Sequence, residues 1–237
     1  RRAAELVQLL SLQPQRSLMN EQVVEALWPH LDPEAGSANL RKAAHHARQF
    51  IGERDALVLR GGRVFLLPNR SVDCDATRFE RAADEALASG DATACKLAAD
   101  LYGGELLPEA RYEAWTEEPR RRLRDKYLQL LRRAGDLERL VREEPTDEAA
   151  HLQLMREELA AGRRSSALRW YGHLRDHLLQ GMGLRPGPQV EALYRDRHNW
   201  TRQAILNVAN MGKFSSDRTI LQYAQEIWNA KQVVTSE

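Results

Sequence analysis

Residues 37–67 read SANLRKAAHHARQFIGERDALVLRGGRVFLL, and their first half has the spacing of an amphipathic helix. We expect this helix to begin with Ser37 as its N-cap. Four apolar side chains recur at helical intervals along it: Leu40, Ala44, Ala47 and Ile51. This spacing predicts a helix with one buried face and one face of polar, largely basic residues.

A β-hairpin pattern follows this helix directly. Segments 56–60 and 63–67 alternate in polarity, and Gly61-Gly62 joins them. Because glycine tolerates positive φ angles, this dipeptide predicts a tight turn between two strands. Four apolar side chains of the hairpin are expected to pack inward: Val58, Leu59, Val64 and Phe65.

Two shorter helical patterns precede this stretch, over residues 3–12 and 21–27, and Asn20 is the expected N-cap of the second. Three helices followed by a hairpin form the order of a winged helix-turn-helix. In that fold the third helix enters the major groove of DNA and the hairpin, or wing, lies near the phosphates. The order therefore predicts a DNA-binding domain over residues 1–70.

Eight polar side chains of the third helix and the wing are candidate DNA contacts. Arginine and lysine suit guanine, whereas asparagine and glutamine suit adenine. The candidates are Asn39, Arg41, Lys42, His45, Arg48, Gln49, Arg60 and Arg63. The alternative for the helical residues is a solvated helix face. For the two wing arginines the alternative is edge-strand charge that discourages aggregation.

Composition limits the class of protein. A hydrophobic fraction of 43% excludes wholesale disorder, and no apolar run approaches the ~18 residues of a membrane span. Cys74 and Cys95 are too few for a disulfide framework or a structural zinc site, so a reducing cytoplasm is the simplest compartment. Residues 1–70 hold ten Lys and Arg against seven Asp and Glu, a mildly basic balance that suits a DNA-binding domain.

From Asp73 onward the pattern is almost entirely helical. Small and apolar residues follow a partial tetratricopeptide pattern between 149 and 171, in which paired helices pack closely. Helices are expected over 77–89, 92–102, 112–133, 138–143, 148–161 and 165–179. The predicted fold is thus mainly α. It has a winged helix-turn-helix, a TPR-like α-helical repeat domain over 71–196, and two extra C-terminal helices in 197–237.

Several consecutive motifs resemble the AfsR/SARP family of bacterial regulators. They include ANLRKAAHHARQFIG, VDCDATRFERAADEAL, LYGGELLPEARYEAWTEEPRRRLRDKYLQLLRRAGD and MGLRPGPQVEALY, and the resemblance covers about residues 1–195. It implies an OmpR-like winged helix joined to a bacterial transcriptional activation domain. It further implies a cytoplasmic activator that binds direct repeats upstream of promoters and contacts RNA polymerase. Family members usually have a small antiparallel sheet before the first helix, so the sheet that steadies the wing is expected to be missing.

The last segment resembles a different family. Residues 197–228, RHNWTRQAILNVANMGKFSSDRTILQYAQEIW, are similar to the C-terminus of glycogen and maltodextrin phosphorylases, with GKFSSDRTI the most specific element. Nothing in the chain matches the catalytic core of those enzymes or their pyridoxal-phosphate lysine motif. We expect two helices in this segment, the second capped at Ser215-Ser216.

Other patterns have simple structural explanations. The run Arg120–Arg124 is expected to be a solvated helix face, because Glu117, Glu118 and Asp125 neutralise it. His173 and His177 lie four residues apart but lack a third ligand at motif spacing, which favours a surface pair over a metal site. Glu157-Glu158 is a commonplace carboxylate pair, and no nucleophile or phosphate-binding motif accompanies it.

The sequence therefore predicts a DNA-binding transcriptional activator with no catalysis and no cofactor. Its expected partners are double-stranded DNA and, through the helical repeats, RNA polymerase or other proteins; no membrane partner is expected. Whether it binds DNA as a homodimer is left open. Two alternatives remain: a protein-interaction module that does not bind DNA, and a non-catalytic fusion that carries a phosphorylase fragment.

Overall fold

The computed structural model describes residues 1–196, which contain ten α-helices and three β-strands. The predicted helices of residues 197–237 lie outside this described range. Contacts divide the chain into two compact units, Arg1–Asp136 and Leu137–Glu237. The mainly helical fold class predicted from the sequence is confirmed.

A winged helix opens the first unit. Its elements are α1 (Arg2–Ser11), β1 (Ser17–Met19), α2 (Asn20–Leu27), α3 (Pro33–Ile51), β2 (Leu57–Arg60) and β3 (Arg63–Leu66). The three helices and the sheet enclose one apolar core. Its largest fully buried side chains are Leu6, Leu10, Leu27, Leu40, Leu57 and Leu66. Burial of this many leucines is the main force that holds α3 and the wing in one body.

The wing belongs to a three-stranded antiparallel sheet of order β1-β3-β2. The chain between α1 and α2 supplies β1, in which Leu18 pairs with Val64. The wing therefore has a supporting strand from within the helix-turn-helix, which is a different element from the sheet expected before the first helix. Gly61 and Gly62 have φ angles of 57° and 73°, as the predicted tight turn requires.

Two of the four hairpin side chains that were predicted to pack inward do so. Val64 is buried and Leu59 packs on the core, but Val58 and Phe65 are not part of that core. Because successive side chains of a strand point to opposite faces, adjacent pairs cannot all point inward. Leu57 and Leu66 take the remaining inward positions.

Three further helices complete the first unit: α4 (Asp75–Ser89), α5 (Ala92–Ala99) and α6 (Glu117–Ala134). Phe79 is buried among them, and the rings of Tyr102 and Tyr127 stack with centroids 4.2 Å apart. The predicted start of the long helix at Tyr112 is wrong, because two short 3₁₀ turns occupy 108–116 and Tyr112 is exposed. Trp115, in the second turn, packs against the winged-helix core.

The described part of the second unit consists of α7 (Leu137–Glu143), α8 (Glu148–Ala160), α9 (Arg164–Met182) and α10 (Pro188–Arg195). A short turn at Gly162 joins α8 to α9, as the repeat pattern predicts. Met155, Ala167 and Leu174 form the centre of their shared core. The last helix predicted for this unit ended at Leu179, and α10, whose first residue is a helix-compatible proline, was not predicted.

Candidate DNA-binding surface

Helix α3 begins at Pro33, four residues before the predicted cap. The carboxylate of Asp32 accepts a hydrogen bond from the Ala35 amide at 2.9 Å, and Pro33 occupies the first helical position. An aspartate cap followed by proline is a common way to start a helix, so the prediction of Ser37 as the N-cap is wrong. Gly52, in the left-handed region with φ of 82°, ends the helix.

Helix α2 crosses α3 at very short range. A Cβ atom built on Gly36 would lie 2.2 Å from Cγ1 of Val24, so only glycine fits at this crossing. Leu40, Ala44 and Ala47 are buried below it, as the helical spacing predicts. This contact and the leucine core fix the direction in which the opposite face of α3 points.

The exposed face of α3 carries most of the predicted helical contacts. Four of these side chains are exposed at intervals of one to four residues along the helix: Arg41, Lys42, His45 and Gln49. Asn39 is half-buried. Forked, cationic and amide side chains on one open helix face can donate and accept hydrogen bonds at base edges and phosphates.

Arg48 differs from its neighbours on α3. It is half-buried, and its Nε donates a hydrogen bond to the carbonyl oxygen of Leu57 at 2.7 Å. The bond joins α3 to the first residue of β2, within the same unit. Arg48 is thus engaged by the wing, whereas Arg41 and Lys42 remain exposed on α3.

The wing presents one exposed cation at its turn. The Arg60 guanidinium lies 5.0 Å from the centre of the Phe65 ring, a cation–π contact, and the residue itself is exposed. The amide of Asn20 donates to the carbonyl of Gly62 at 2.8 Å and holds the turn to the start of α2. Phe65, on the outer face of the sheet, therefore has a local role as a support for Arg60.

Arg63 lies across from Arg60 in the sheet register but is bound differently. Its guanidinium donates to the hydroxyl of Ser17 at 3.1 Å and to the sulfur of Met19 at 3.3 Å. Because β3 is the central strand, the edge-strand explanation does not apply to Arg63. Its contacts brace β1 against the hairpin.

The predicted set of DNA contacts omits His46 and Phe50, which are also exposed on α3. Phe50 is 93% exposed, and His46 is exposed with its ring 5.7 Å from that of His45. A helical wheel would have identified Phe50, because it falls outside the apolar stripe of α3 while being strongly apolar. Both residues extend the open face of the helix.

The arginine run of α6 is largely engaged within the first unit. Arg120 donates to the carbonyls of Leu106 and Leu107, both at 3.0 Å, and Arg122 pairs with Glu80 at 2.8 Å. Arg121 remains exposed. The expected solvated face therefore describes only part of the run, since Arg120 fixes the loop before α6 and Arg122 joins α6 to α4.

The second unit holds a chain of three histidines. His151 is fully buried; its Nδ1 lies 2.8 Å from the Asp147 carbonyl and its Nε2 lies 3.0 Å from Nδ1 of His173. The rings of His173 and His177 are 4.3 Å apart. Burial lowers the pKa of both His151 and His173 below the ordinary value of 6.5. The expected surface pair is thus tied to a buried third histidine.

Residues 1–196 contain neither a candidate metal-binding cluster nor a candidate membrane-spanning helix. No group of three or more His, Cys, Asp or Glu in that range is placed to hold a metal ion. Within the same range, no helix combines the length and apolar character needed to cross a membrane.

Along the chain, a winged helix is followed by paired helical repeats. Residues 74–196, just over half of the chain, match the sequence model of the bacterial transcriptional activator domain. The chain belongs to the bacterial transcriptional activator domain family, which confirms the resemblance to AfsR/SARP-type regulators predicted from its motifs.

A solved structure agrees with this fold. The chain is similar to Mycobacterium tuberculosis EmbR in complex with a low affinity phosphopeptide, with a TM-score of 0.58 and 20% identity. The alignment covers 98% of this chain and 68% of that chain. At this identity the likeness shows the fold alone.

A second match lies at the C-terminal end. The sequence model of carbohydrate phosphorylase matches residues 184–230, so the resemblance predicted for 197–237 is confirmed and begins earlier. Glycogen phosphorylase of Synechocystis sp. is 65% identical over 46 residues, which are 19% of this chain and 5% of the enzyme. The muscle form of Homo sapiens is 58% identical over 43 residues, 18% of this chain and 5% of the enzyme. The chain thus spans about 5% of the length of these curated relatives.

Proposed function

We propose that this activator binds double-stranded DNA sequence-specifically, with α3 in the major groove and the wing on the backbone. Its sites are direct repeats upstream of promoters. The observation that carries the proposal is the open face of α3, where Arg41, Lys42, His45 and Gln49 are exposed beside a braced wing. Such a face matches the donor and acceptor pattern of the major groove.

The helical repeats are the proposed protein-binding part. Paired helices such as α8 and α9 bury a core between them and leave outer surfaces for a partner. RNA polymerase is the partner that the AfsR/SARP resemblance implies. This proposal also divides the chain into three functional parts: residues 1–70, 71–196 and 197–237. Because the contacts group 1–136 as one compact unit, each experiment uses the full chain.

A mobility-shift assay tests the DNA proposal. The full chain is titrated with a duplex that contains promoter direct repeats and with a scrambled duplex, over a range of salt concentrations. We expect tighter binding to the repeats and a steep fall of affinity with salt, because each phosphate contact releases condensed counterions. Arg41→Ala is expected to lower the log–log salt slope by about 1 if Arg41 contacts a phosphate.

Arg121→Ala provides the matched control, since Arg121 is an exposed arginine on α6, away from α3 and the wing in sequence. It should leave the slope unchanged. Equal affinity of the wild-type chain for the repeat and scrambled duplexes, or no shift of any duplex, would reject the proposal.

A second candidate function is a protein-interaction module that does not bind DNA. It is favoured by the engagement of Arg48 and Arg63 within the winged helix, which removes two of the eight predicted contacts from an open face. Retained binding of RNA polymerase without any DNA shift would support this candidate. The phosphorylase-like segment covers too little of those enzymes to carry their catalytic centre, so no phosphorolysis is proposed.

A further inference from the structure

The carbonyl of Leu57 is available to α3 because of the sheet register. The Leu67 amide donates to the Ala56 carbonyl at 2.8 Å, so Ala56 faces β3. In an antiparallel ladder the next residue points its own N–H and C=O away from the neighbouring strand. Leu57 therefore directs its carbonyl away from β3, and β3 is the only strand paired with β2 in the described sheet.

Arg48 satisfies this outward carbonyl. Its Nε donates to Leu57 at 2.7 Å, while the residue lies half-buried at the border of the apolar stripe of α3. A bond between a charged donor and a neutral carbonyl is stronger than a neutral pair, and its shielded position protects it from competition by water. It is a fixed link between the DNA-facing helix and the wing.

The same strand carries the exposed cation of the wing. Arg60 is three residues beyond Leu57 on β2, about 10 Å along the strand. Any tilt of β2 relative to α3 would move Arg60 relative to Arg41 and Lys42. The position of the wing cation is thus coupled to the Arg48–Leu57 bond.

We propose that Arg48 is a positioning residue for DNA binding, which holds the wing so that Arg60 reaches a backbone phosphate while Arg48 itself makes no DNA contact. This inference rests on the proposed function. Arg48 thereby becomes a positioning residue instead of a DNA contact, and the phosphate contact of the wing is assigned to Arg60.

A double-mutant cycle on the salt slope tests the inference. Arg60→Ala and Arg48→Ala are each expected to lower the slope by about 1, because each loses the same phosphate contact. The double variant is then expected to lose about 1 and not 2, since the effects of residues that act through one another are not additive. The pair Arg41→Ala and Arg60→Ala provides the control, and the losses of its two single variants should add in the double variant.

Arg48→Gln separates position from charge. The glutamine Nε2 is the same number of bonds from Cα as the arginine Nε, so it retains a donor for Leu57 without a positive charge. We expect the wild-type slope for Arg48→Gln and faster hydrogen exchange of the β2 amides only in Arg48→Ala. Thermal unfolding establishes that each variant is folded.

Three results would overturn the inference: a loss of about 2 in the Arg48/Arg60 double variant, an Arg48→Gln slope equal to that of Arg48→Ala, or unchanged binding in Arg48→Ala. Failure of the proposed function is distinguishable from all three. In that case the wild-type chain itself gives no salt-dependent shift.

Discussion

The buried imidazole of His151 lies 3.0 Å from that of His173, nitrogen to nitrogen, on the neighbouring helix. The Asp147 carbonyl accepts the proton of His151 Nδ1, so Nε2 accepts from His173. His tautomers follow from this network of bonds. The charged and titratable groups that act on the pair are Asp147, Asp176 and His177.

This geometry predicts that the second unit loses stability on mild acidification. Burial lowers the folded-state pKa of His151 and His173 below 6.5, so the unfolded chain binds more protons between 6.5 and the folded value. Stability therefore falls as pH decreases below about 6.5, by up to about 1.4 kcal/mol per pH unit for each histidine. Denaturant unfolding of the full chain between pH 7.5 and 5.5 measures the effect.

His151→Leu is expected to reduce this pH dependence, and His173→Gln should do so with less disturbance because glutamine can still donate to His151. His30, exposed in the first unit, provides the control as His30→Gln. A pH dependence that survives both substitutions would show that other groups cause it.

A second prediction concerns Glu113, which joins the loop before α6 to α1. Its carboxylate pairs with Arg2 at 3.0 Å, and the hydrogen bond from Arg2 is the main cause that lowers the pKa of Glu113 below 4.5. The stabilisation is therefore present above pH 4.5 and is lost as pH falls through the lower folded value. Glu113→Gln should destabilise the first unit by about 1 kcal/mol at pH 7.

The difference between Glu113→Gln and wild type should shrink as pH falls below 4.5, which thermal melts can follow. Glu117→Gln, an exposed glutamate in the first turn of α6, provides a matched change of charge. If the stability difference between Glu113→Gln and wild type is the same at all pH values, the charge of Glu113 does not contribute to stability.

A third prediction concerns the crossing of α2 and α3. Gly36→Ala would place a methyl group 2.2 Å from Val24, which overpacks the contact and should cost about 1–3 kcal/mol. Gly172, in α9, has no atom within 4 Å of a built Cβ. Gly172→Ala should therefore be neutral or stabilise by up to about 1 kcal/mol.

Denaturant unfolding distinguishes the two glycine variants. Val24→Ala is expected to relieve part of the cost of Gly36→Ala, because it removes the atom that the new methyl group meets. Equal stability of Gly36→Ala and wild type would show that α2 and α3 are less closely packed than described.

Regular local patterns were predictable from the sequence. The apolar stripe of α3 and the glycine turn of the wing follow from helical spacing and from the backbone freedom of glycine. The start of α3 is also encoded locally, because the Asp32 cap and Pro33 need no contact with a distant segment.

Contacts between distant segments were not predictable in this way. Strand β1 has only three residues and exists because Ser17–Met19 pairs with β3, more than 40 positions later. The Arg48–Leu57 bond depends on which carbonyls the sheet leaves outward, and the His151–His173 bond joins two helices. Side-chain type alone could not separate Arg48 from Arg41, because their difference arises only in the folded unit.

The central claim is that α3 reads DNA sequence. The most direct measurement is selection by the full chain from a pool of random-sequence duplexes at physiological salt, compared with Gln49→Ala, since glutamine pairs with adenine in the major groove. We predict enrichment of one repeated motif by the wild-type chain and relaxed preference at one position of that motif in Gln49→Ala. Recovery of unenriched sequences by the wild-type chain would contradict the claim.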